Sequence, residues 1–494
     1  MNARILFEAL ALPVEIPSKE ISFITEDSRT ANENAVFVCI KGALADGHKY
    51  ADSAYERGCR FFVAEQKLPL PEDAFVWITE NTRIALARLA CRLYDDPSSF
   101  MKVIGITGTK GKTTTAQMLA HILNQNGIAA GYIGTNGISY GEIHQVTANT
   151  TPDAVTLQKT LFEMKSTGIQ AVIIEISSQA LKQYRADGTV FDTVIFTNLF
   201  TDHIGPHEHP DFEDYKECKK RLFQDFSFKR AILNADDKLF EEFWNASATK
   251  SRSTCSSKDP SCGYYAECIR SLFQNGMPSV SFTLWNEDEK QTCHLPLIGA
   301  PNVYNAMLAM ACAKEGFGIP LALSANALAS VSVAGRSECI PLPNGACVII
   351  DYAHNGESLR ALLQGLRAYC PSRLLCLFGS VGDRTKGRRF EMGEVAASLC
   401  DLSFLTSDNP GREDPQRILD DIAVAFEAVN APYIRIADRE KAIVEALRQT
   451  KAGDILVLAG KGHETYQLIQ YQKIPFSEKE IVENTVKNNL ILFS

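Results

Sequence analysis

Apolar positions fall into two rhythms along this chain, and the rhythm changes block by block. Up to about residue 100, short apolar runs (AVFVCI, RFFVAEQ, AFVWIT) alternate with helix-like stretches such as RIALARLACRLY. That alternation predicts a small α/β domain. Asp95, Asp96, Pro97 and two serines then read as a linker. The next block opens with KVIGITGT, apolar on both faces as a buried strand must be. TTTAQMLAHILNQNG follows, with the spacing of an amphipathic helix ending at Gly127. Strand-like runs recur at AVIIEISS and TVIFTNL between helical segments, the rhythm of a parallel sheet with crossover helices. From Ser251 to about Cys293 the chain reads as polar and irregular, turning strand-like at PSVSFTLW. Beyond Gly335, strands are predicted at CVIIDYA, LLCLFGS, LSFLTSD and DILVLAG. The expected fold class is α/β in three domains. They are a small N-terminal domain (1–100), a central P-loop ATPase-type parallel-sheet domain (101–334) and a C-terminal Rossmann-like domain (335–494).

Composition narrows the function. A chain of 494 residues exceeds what one hydrophobic core supports, consistent with several domains. A formal net charge of -9 argues against nucleic-acid binding through bulk basic charge. The apolar patch near the start meets Pro13 and acidic residues at once, so no signal peptide is expected. No stretch approaches the ~20 apolar residues of a membrane span. Fourteen cysteines lie scattered from Cys39 to Cys400 with no C-x-x-C pair, which fits free thiols in a reducing compartment. A cytoplasmic monomer is expected.

The chemistry centres on Gly108-Thr109-Lys110-Gly111-Lys112-Thr113-Thr114, set between predicted strand and helix. Backbone N–H groups and a helix N-terminus there favour a phosphate. Lys112 is placed to reach β- and γ-phosphates and the Thr113 hydroxyl to meet Mg²⁺. The strict GxxxxGK[ST] pattern fails because position 106 is Ile. Glu175 ends the run AVIIE, where a motor or GTPase would carry Asp, and is a candidate for completing the Mg²⁺ site. Read alone, it is a partly exposed acid at a strand end. His203, His207 and His209 cluster behind the next strand, in a chain with nine histidines. Lys219 shares a helix face with Tyr215. Lys216, Lys219 and Lys220 are by default solvated, and spacing singles out none of them.

GTKGKTT, EISS, TNL-x-x-DH and Y-x-x-x-K, in this order, resemble the Mur ligases, ATP-dependent amide-forming enzymes of peptidoglycan synthesis. Asp27-Ser28-Arg29 and Asp46-Gly47-His48-x-Tyr50 are similar to the UDP-binding domain of the UDP-N-acetylmuramoyl-tripeptide synthetase branch, which adds the third stem residue. The resemblance runs on through Asn302, Asn305, Gly335-Arg336, DYAH, GDRTKGRR, DNP and GKGHE. It implies a phosphate loop of Gly108, Thr109, Lys110, Gly111, Lys112, Thr113 and Thr114. It also implies Mg²⁺ ligands in Thr113, Glu175, His203 and Lys219, the lysine being carbamoylated by CO₂. Lys112, Lys219, His203 and Glu175 are the implied catalytic set. Asn305, Arg336, Asp351 and Lys386 would complete the ATP site. Ser28, Asn149, Thr150, Thr151, Ser177 and Arg185 would grip the UDP-N-acetylmuramoyl-dipeptide, and Arg389, Asp408, Asn409, Gly460 and Glu464 the incoming amino acid.

The resemblance implies transfer of the γ-phosphoryl of ATP to a carboxylate, then displacement of phosphate by an amine. Three positions depart from the family. Gly411 stands where diaminopimelate-adding members carry arginine, with Arg412 one place later, which tilts the expectation toward L-lysine or a similar diamine and leaves meso-diaminopimelate open. Gln179 replaces a common His, and Gly205 a common acid. The competing readings are a folylpolyglutamate-synthase-like ligase, disfavoured by the N-terminal motifs, and a non-catalytic paralogue, disfavoured by retention of Lys112, Glu175, His203 and Lys219.

Overall fold

The computed structural model describes residues 1–10, 15–42, 45–202, 204–205, 208–247, 249, 251–274, 277–382 and 387–488. They form two compact units, one of residues 1–263 and 308–319, the other of 264–307 and 320–494.

The first unit carries two sheets. Strands β1 (Phe23–Thr25), β2 (Ala35–Val38), β3 (Phe61–Ala64) and β4 (Phe75–Ile78) pair in parallel, in sequence order. β2 and β3 are buried along their whole length, as strands covered on both faces must be. The larger sheet uses β5 (Lys102–Thr107), β6 (Ala130–Gly134), β7 (Gly137–Tyr140), β8 (Ile143–Gln145), β9 (Ala171–Glu175), β10 (Thr193–Phe196), β11 (Arg230–Asn234) and β12 (Ser251–Ser256). Their order is β12-β11-β10-β5-β9-β6-β7-β8, parallel from β12 to β6 and antiparallel beyond. The chain leaves β5 in one direction and later returns to pair β10 on its other side. The crevice at the carboxyl ends of β5, β9 and β10 is therefore where such sheets bind ligands. Val103, Ile174, Val194, Phe196, Tyr215 and Phe243 pack in the core beneath it.

In the second unit, β13 (Tyr264–Gln274), β14 (Met277–Trp285) and β15 (Lys290–Leu295) form an antiparallel meander. The irregular region expected between Ser251 and Cys293 is thus mostly strand. Alternation is clear in β15, where Cys293 and Leu295 are buried beside exposed neighbours, and is broken in β13 by a bulge between Glu267 and Arg270. A second sheet runs β16 (Glu338–Pro341), β17 (Cys347–Asp351), β21 (Ile455–Ala459), β18 (Leu374–Phe378), β19 (Leu402–Leu405), β20 (Tyr433–Arg435), parallel except at β16. A hairpin of β22 (Tyr466–Ile469) and β23 (Gln472–Pro475) follows.

Arg439 fixes the carboxyl edge of this sheet. Wholly buried, it pairs with the equally buried Glu478, with Nε to Oε1 at 2.9 Å, and donates to the Ser407 and Ala459 carbonyls at 3.2 and 2.8 Å. Those carbonyls end the segments after β19 and β21. Removing one partner of a buried ion pair strands the other charge. Arg439→Ala should cost about 3–5 kcal/mol in a denaturant titration. A joint Arg439→Met, Glu478→Leu replacement should recover most of that loss.

Candidate active site

Two glycines shape the phosphate loop. Gly108 (φ +149°) has no room for a side chain: a Cβ would sit 1.9 Å from Thr197 Oγ1 and 2.9 Å from the Asn198 carbonyl. Gly111 (φ +86°) turns the chain into the Lys112–Gln125 helix. The segment after β10 braces the loop. Thr109 N donates to the Asn198 carbonyl (2.8 Å), Lys110 N to Asn198 Oδ1 (2.9 Å), and Thr197 Oγ1 to the Lys110 carbonyl (2.8 Å). The loop thus stands at the N-terminus of a fourteen-residue helix, an anion-favouring position. Lys112 Nζ lies against the loop, donating to the Gly108 and Thr109 carbonyls at 2.8 and 3.0 Å. Lys110 pairs with Asp202 at 3.1 Å, and Thr114 is buried.

Glu175 is wholly buried at the end of β9, not partly exposed. Its Oε1 accepts from the Tyr132 hydroxyl and from Thr135 N (2.9 Å); its Oε2 accepts from Thr113 Oγ1 (2.9 Å) and Thr135 Oγ1 (3.2 Å). A buried carboxylate is tolerated when its lone pairs are filled in this way. The hydroxyl of Thr113 and the carboxylate of Glu175 therefore stand together at the end of the loop, as the motif reading expects. Hard oxygen donors of this kind fit Mg²⁺.

Lys219, on the Phe212–Gln224 helix, is 1% exposed. The default that its run of lysines is solvated fails here, because the helix turns Lys219 and Tyr215 inward as a pair, Nζ lying 4.7 Å from the ring centroid. Nζ donates to the Gly108 carbonyl at 2.9 Å, the oxygen that Lys112 also uses. Burial, reinforced by the Lys112 charge, pushes the Lys219 ammonium well below the ordinary lysine value. His209 is buried between Asp214 and Ser178. His203 and His207 lie outside the described residues.

The peptide-side candidates are joined. Thr151 Oγ1 donates to the Glu175 carbonyl (2.7 Å) and accepts from Ser177 N (3.0 Å), while Arg185 Nη1 donates to the Thr151 carbonyl (2.8 Å). Thr150 Oγ1 lies 3.2 Å from Thr135 Oγ1, and Asn149 is exposed beside it. Ser28 lines a separate cavity of about 840 Å³ with Glu26, Arg29, Tyr50 and Arg83, on the N-terminal sheet.

On the second unit, Asp351 Oδ2 accepts from Ser337 N (2.7 Å) and Oδ1 from Ala353 N (2.9 Å). Burial raises the pKa of Asp351 above the ordinary aspartate value, against the pull of Arg336. Arg336 stacks over the Tyr352 ring at 5.0 Å. Asn305 donates to Asn302 Oδ1 at 3.0 Å. Lys386 lies outside the described residues. Arg389 is bound bidentately by Glu413 (2.8 and 2.6 Å) and by Asp421 (2.8 Å). Asn409 and Glu464 meet at 3.0 Å, and Lys461 Nζ bridges them at 3.0 and 2.8 Å, with Asp408 at 3.6 Å. Gly460 (φ +113°) lets Asp408 approach: a Cβ there would meet Asp408 Oδ2 at 2.8 Å. Gly411 (φ +61°) exchanges backbone hydrogen bonds with Leu468 and Gln470 of the hairpin, and the Arg412 guanidinium lies over the Tyr471 ring at 4.5 Å.

Tyr132, Thr135, Lys461 and Glu413 escaped the motif reading. Lys461 sits inside GKGHE and was within reach; Tyr132 and Thr135 flank Gly134 with no motif to mark them.

Family descriptions match this chain in sequence order: "Mur ligase family, catalytic domain" over residues 20–94, "Mur ligase middle domain" over 106–313, and "Mur ligase, glutamate ligase domain" over 335–462. The UDP-N-acetylmuramoyl-L-alanyl-D-glutamate--2,6-diaminopimelate ligase of Caldanaerobacter subterraneus subsp. tengcongensis is 37% identical over 467 residues, 94% of this chain and 95% of that protein. The chain belongs to the Mur ligase family. It is an enzyme, an ATP-dependent ligase. The protein of the same description from Chlorobaculum tepidum is 37% identical over 94% of this chain and 92% of its own length. A solved structure of a UDP-N-acetylmuramoyl-L-alanyl-D-glutamate--2, 6-diaminopimelate ligase superposes with a TM-score of 0.75 at 27% identity, over 99% of this chain and 100% of that one. Three Mur ligase domains with mixed α/β structure and parallel sheets are thus present, as the resemblance implies.

In this Mur ligase the Glu175 pocket tolerates no atom at position 134, where a Cβ would stand 2.2 Å from Glu175 Oε1 and 2.4 Å from the Tyr132 oxygen. Both are side-chain ends, but hydrogen bonds pin them. Gly134→Ala should therefore swing the carboxylate off Thr113. We expect about 1–3 kcal/mol of destabilisation by thermal melting and a larger loss of turnover than that alone explains.

Proposed function

We propose that this Mur ligase joins a diamino acid to UDP-N-acetylmuramoyl-L-alanyl-D-glutamate through an acyl phosphate, in peptidoglycan synthesis. The observation that carries this reading is Lys219, fully buried and pushed toward its neutral form, with Nζ on the phosphate-loop carbonyl of Gly108. A neutral amine is the form that attacks CO₂. Its nitrogen lone pair bonds the carbon, one C=O pair moves onto oxygen, and the amine proton leaves to water, giving an anionic carbamate. That product turns a cation into an oxygen ligand suited to Mg²⁺, with Thr113, Glu175 and His203 as the other proposed ligands. Mg²⁺ would supply charge neutralisation between triphosphate and carboxylate.

The chain's own groups do the rest. Loop N–H groups and Lys112 hold the phosphates of ATP, with Asn305, Arg336, Asp351 and Lys386 as further ATP-side positions. Ser28, Asn149, Thr150, Thr151, Ser177 and Arg185 hold the nucleotide-peptide so that its carboxylate oxygen meets the γ-phosphorus. The new O–P bond forms as the bond to ADP breaks. The incoming amine, held by Arg389, Asp408, Asn409, Gly460 and Glu464, attacks the acyl carbon, and phosphate leaves with the oxygen that a free carboxylate would not release. We place the domain boundaries near residues 100 and 335 and the enzyme in the cytoplasm as a monomer. No described helix is long and apolar enough to cross a membrane.

The names of the relatives support diaminopimelate as the third amino acid, with Arg412, one position past Gly411, as the candidate cation for its far carboxylate. A second reading, L-lysine, rests on Gly411, which carries no side chain. An arginine at that left-handed position would cost about 1 kcal/mol or more.

Phosphate release is the test, with ATP, Mg²⁺ and the nucleotide-dipeptide, offering meso-diaminopimelate, L-lysine and L-ornithine separately. We expect diaminopimelate to lead by at least about tenfold in kcat/KM, roughly 1.4 kcal/mol. A lead for lysine would install the second reading, and silence with all three would sink the proposal. Lys219→Ala should lower kcat by roughly 100-fold or more and recover partly with small carboxylates. Normal turnover in that variant would remove Lys219 from the metal site.

A further inference from the structure

The helix bearing Lys219 and the turn bearing Ser177 are linked by a chain of polar groups, buried at His209 and Ser178 and half-buried at Asp214, that the proposed mechanism leaves unused. His209 is 0% exposed, yet both ring nitrogens are engaged: Nδ1 lies 2.6 Å from Asp214 Oδ2 and Nε2 lies 2.9 Å from Ser178 Oγ. A carboxylate only accepts, so Nδ1 carries the proton and Nε2 accepts from the Ser178 hydroxyl. Burial favours this neutral imidazole, holding His209 below the ordinary histidine value against the pull of Asp214. Asp214 also accepts from Lys182 Nζ at 2.8 Å, and its own N–H donates to Asp211 Oδ1 at 2.8 Å, capping the Phe212–Gln224 helix.

Ser177 caps the short Ser178–Lys182 helix through Ala180 N (3.1 Å) and is joined to Thr151 on its other side. Lys182, at the far end of that helix, reaches Asp214 directly, and Arg221 reaches the Leu181 carbonyl. The far end is therefore tied twice without any histidine. At the near end, beside Ser177, Ser178 is tied through His209. Gln179, next along, buries its Nε2 with no partner among the described residues, so it adds no tie.

We propose that His209 is a positioning residue that sets the Ser177 end of the peptide-binding turn against the Lys219 helix. This rests on the proposed roles of Ser177 and Lys219. The serine link is the operative one. Asp214 anchors the imidazole to the Lys219 helix, but only the bond to Ser178 reaches the substrate turn.

The two amide replacements separate the links. In His209→Gln the amide oxygen reaches as far as Nε2 and can accept from Ser178; in His209→Asn the amide nitrogen stands near Nδ1 and can donate only to Asp214. We expect His209→Phe and His209→Asn to raise KM for the nucleotide-dipeptide about three- to tenfold, the loss of one buried hydrogen bond. KM for ATP should stay within about twofold, and His209→Gln should restore the nucleotide-dipeptide KM to within about twofold of the unaltered enzyme. Ser178→Ala, cutting the same link from the other side, should reproduce the His209→Phe split and serves if that variant misfolds. Equal shifts in both KM values, no shift, or an Asn variant that behaves better than Gln would each overturn the proposal. Titration calorimetry of the nucleotide-dipeptide without ATP separates this from the functional reading. Binding that weakens in His209→Phe but never leads to turnover in the unaltered enzyme would keep the positioning role and sink the ligase reading. Absence of binding would sink both.

Discussion

The buried carboxylate of Glu175 is the constraint around which the first unit is arranged. An ionised group taken out of water is costly unless its lone pairs are filled, and here four donors fill them. Those donors come from three places: the helix after β5 (Thr113), the middle of β6 (Tyr132) and the turn that follows it (Thr135). The carboxylate itself ends β9, the strand between β5 and β6. Satisfying one charge thus fixes the relative heights of three neighbouring strand ends. The same network explains why position 134 is glycine, and why Thr151 closes over the Glu175 carbonyl instead of facing solvent.

Two fully buried lysines, one in each unit, show how environment separates structure from chemistry. Lys461 is surrounded by Asp408, Asn409 and Glu464, so its charge is paired and it ties those three residues together. Lys219 donates to a carbonyl and feels the repulsion of Lys112. Burial, with the Lys112 charge added to it, drives the Lys219 ammonium toward its neutral form. Burying a cation against another cation is an expense that a purely structural residue would not impose, because a leucine at position 219 would pack there at no electrostatic cost.

The division between what the sequence revealed and what it hid follows the same physics. Strands such as KVIGIT and DILVLA, apolar on both faces, were legible because a parallel sheet covered by helices demands them. The glycine loop was legible because phosphate binding demands a rare combination of residues. Lys219 could be placed on the face of Tyr215, but its burial could not be read, since spacing alone does not say which helix face meets the core. Tyr132 and Thr135 were invisible for a different reason: a second ring of donors needs only some hydroxyl or amide in reach, and many residue types supply one. The polar stretch after Ser251 misled because composition was weighed over alternation.

The acceptor side follows a looser logic. Arg389 is held through Nη1 and Nη2 by Glu413 and Asp421, while its buried Nε has no partner among the described residues. Arg412, by contrast, is stacked on Tyr471 at the tip of a hairpin, and cation–π contact at such a site is worth only about 0.5–1 kcal/mol. That guanidinium belongs to the residue next to Gly411. The backbone of Gly411, paired on both sides with the same hairpin, fixes where it starts from. Where the Arg412 side chain sits is thus set by the hairpin that pairs with Gly411 and carries Tyr471, as much as by the absence of a side chain at position 411.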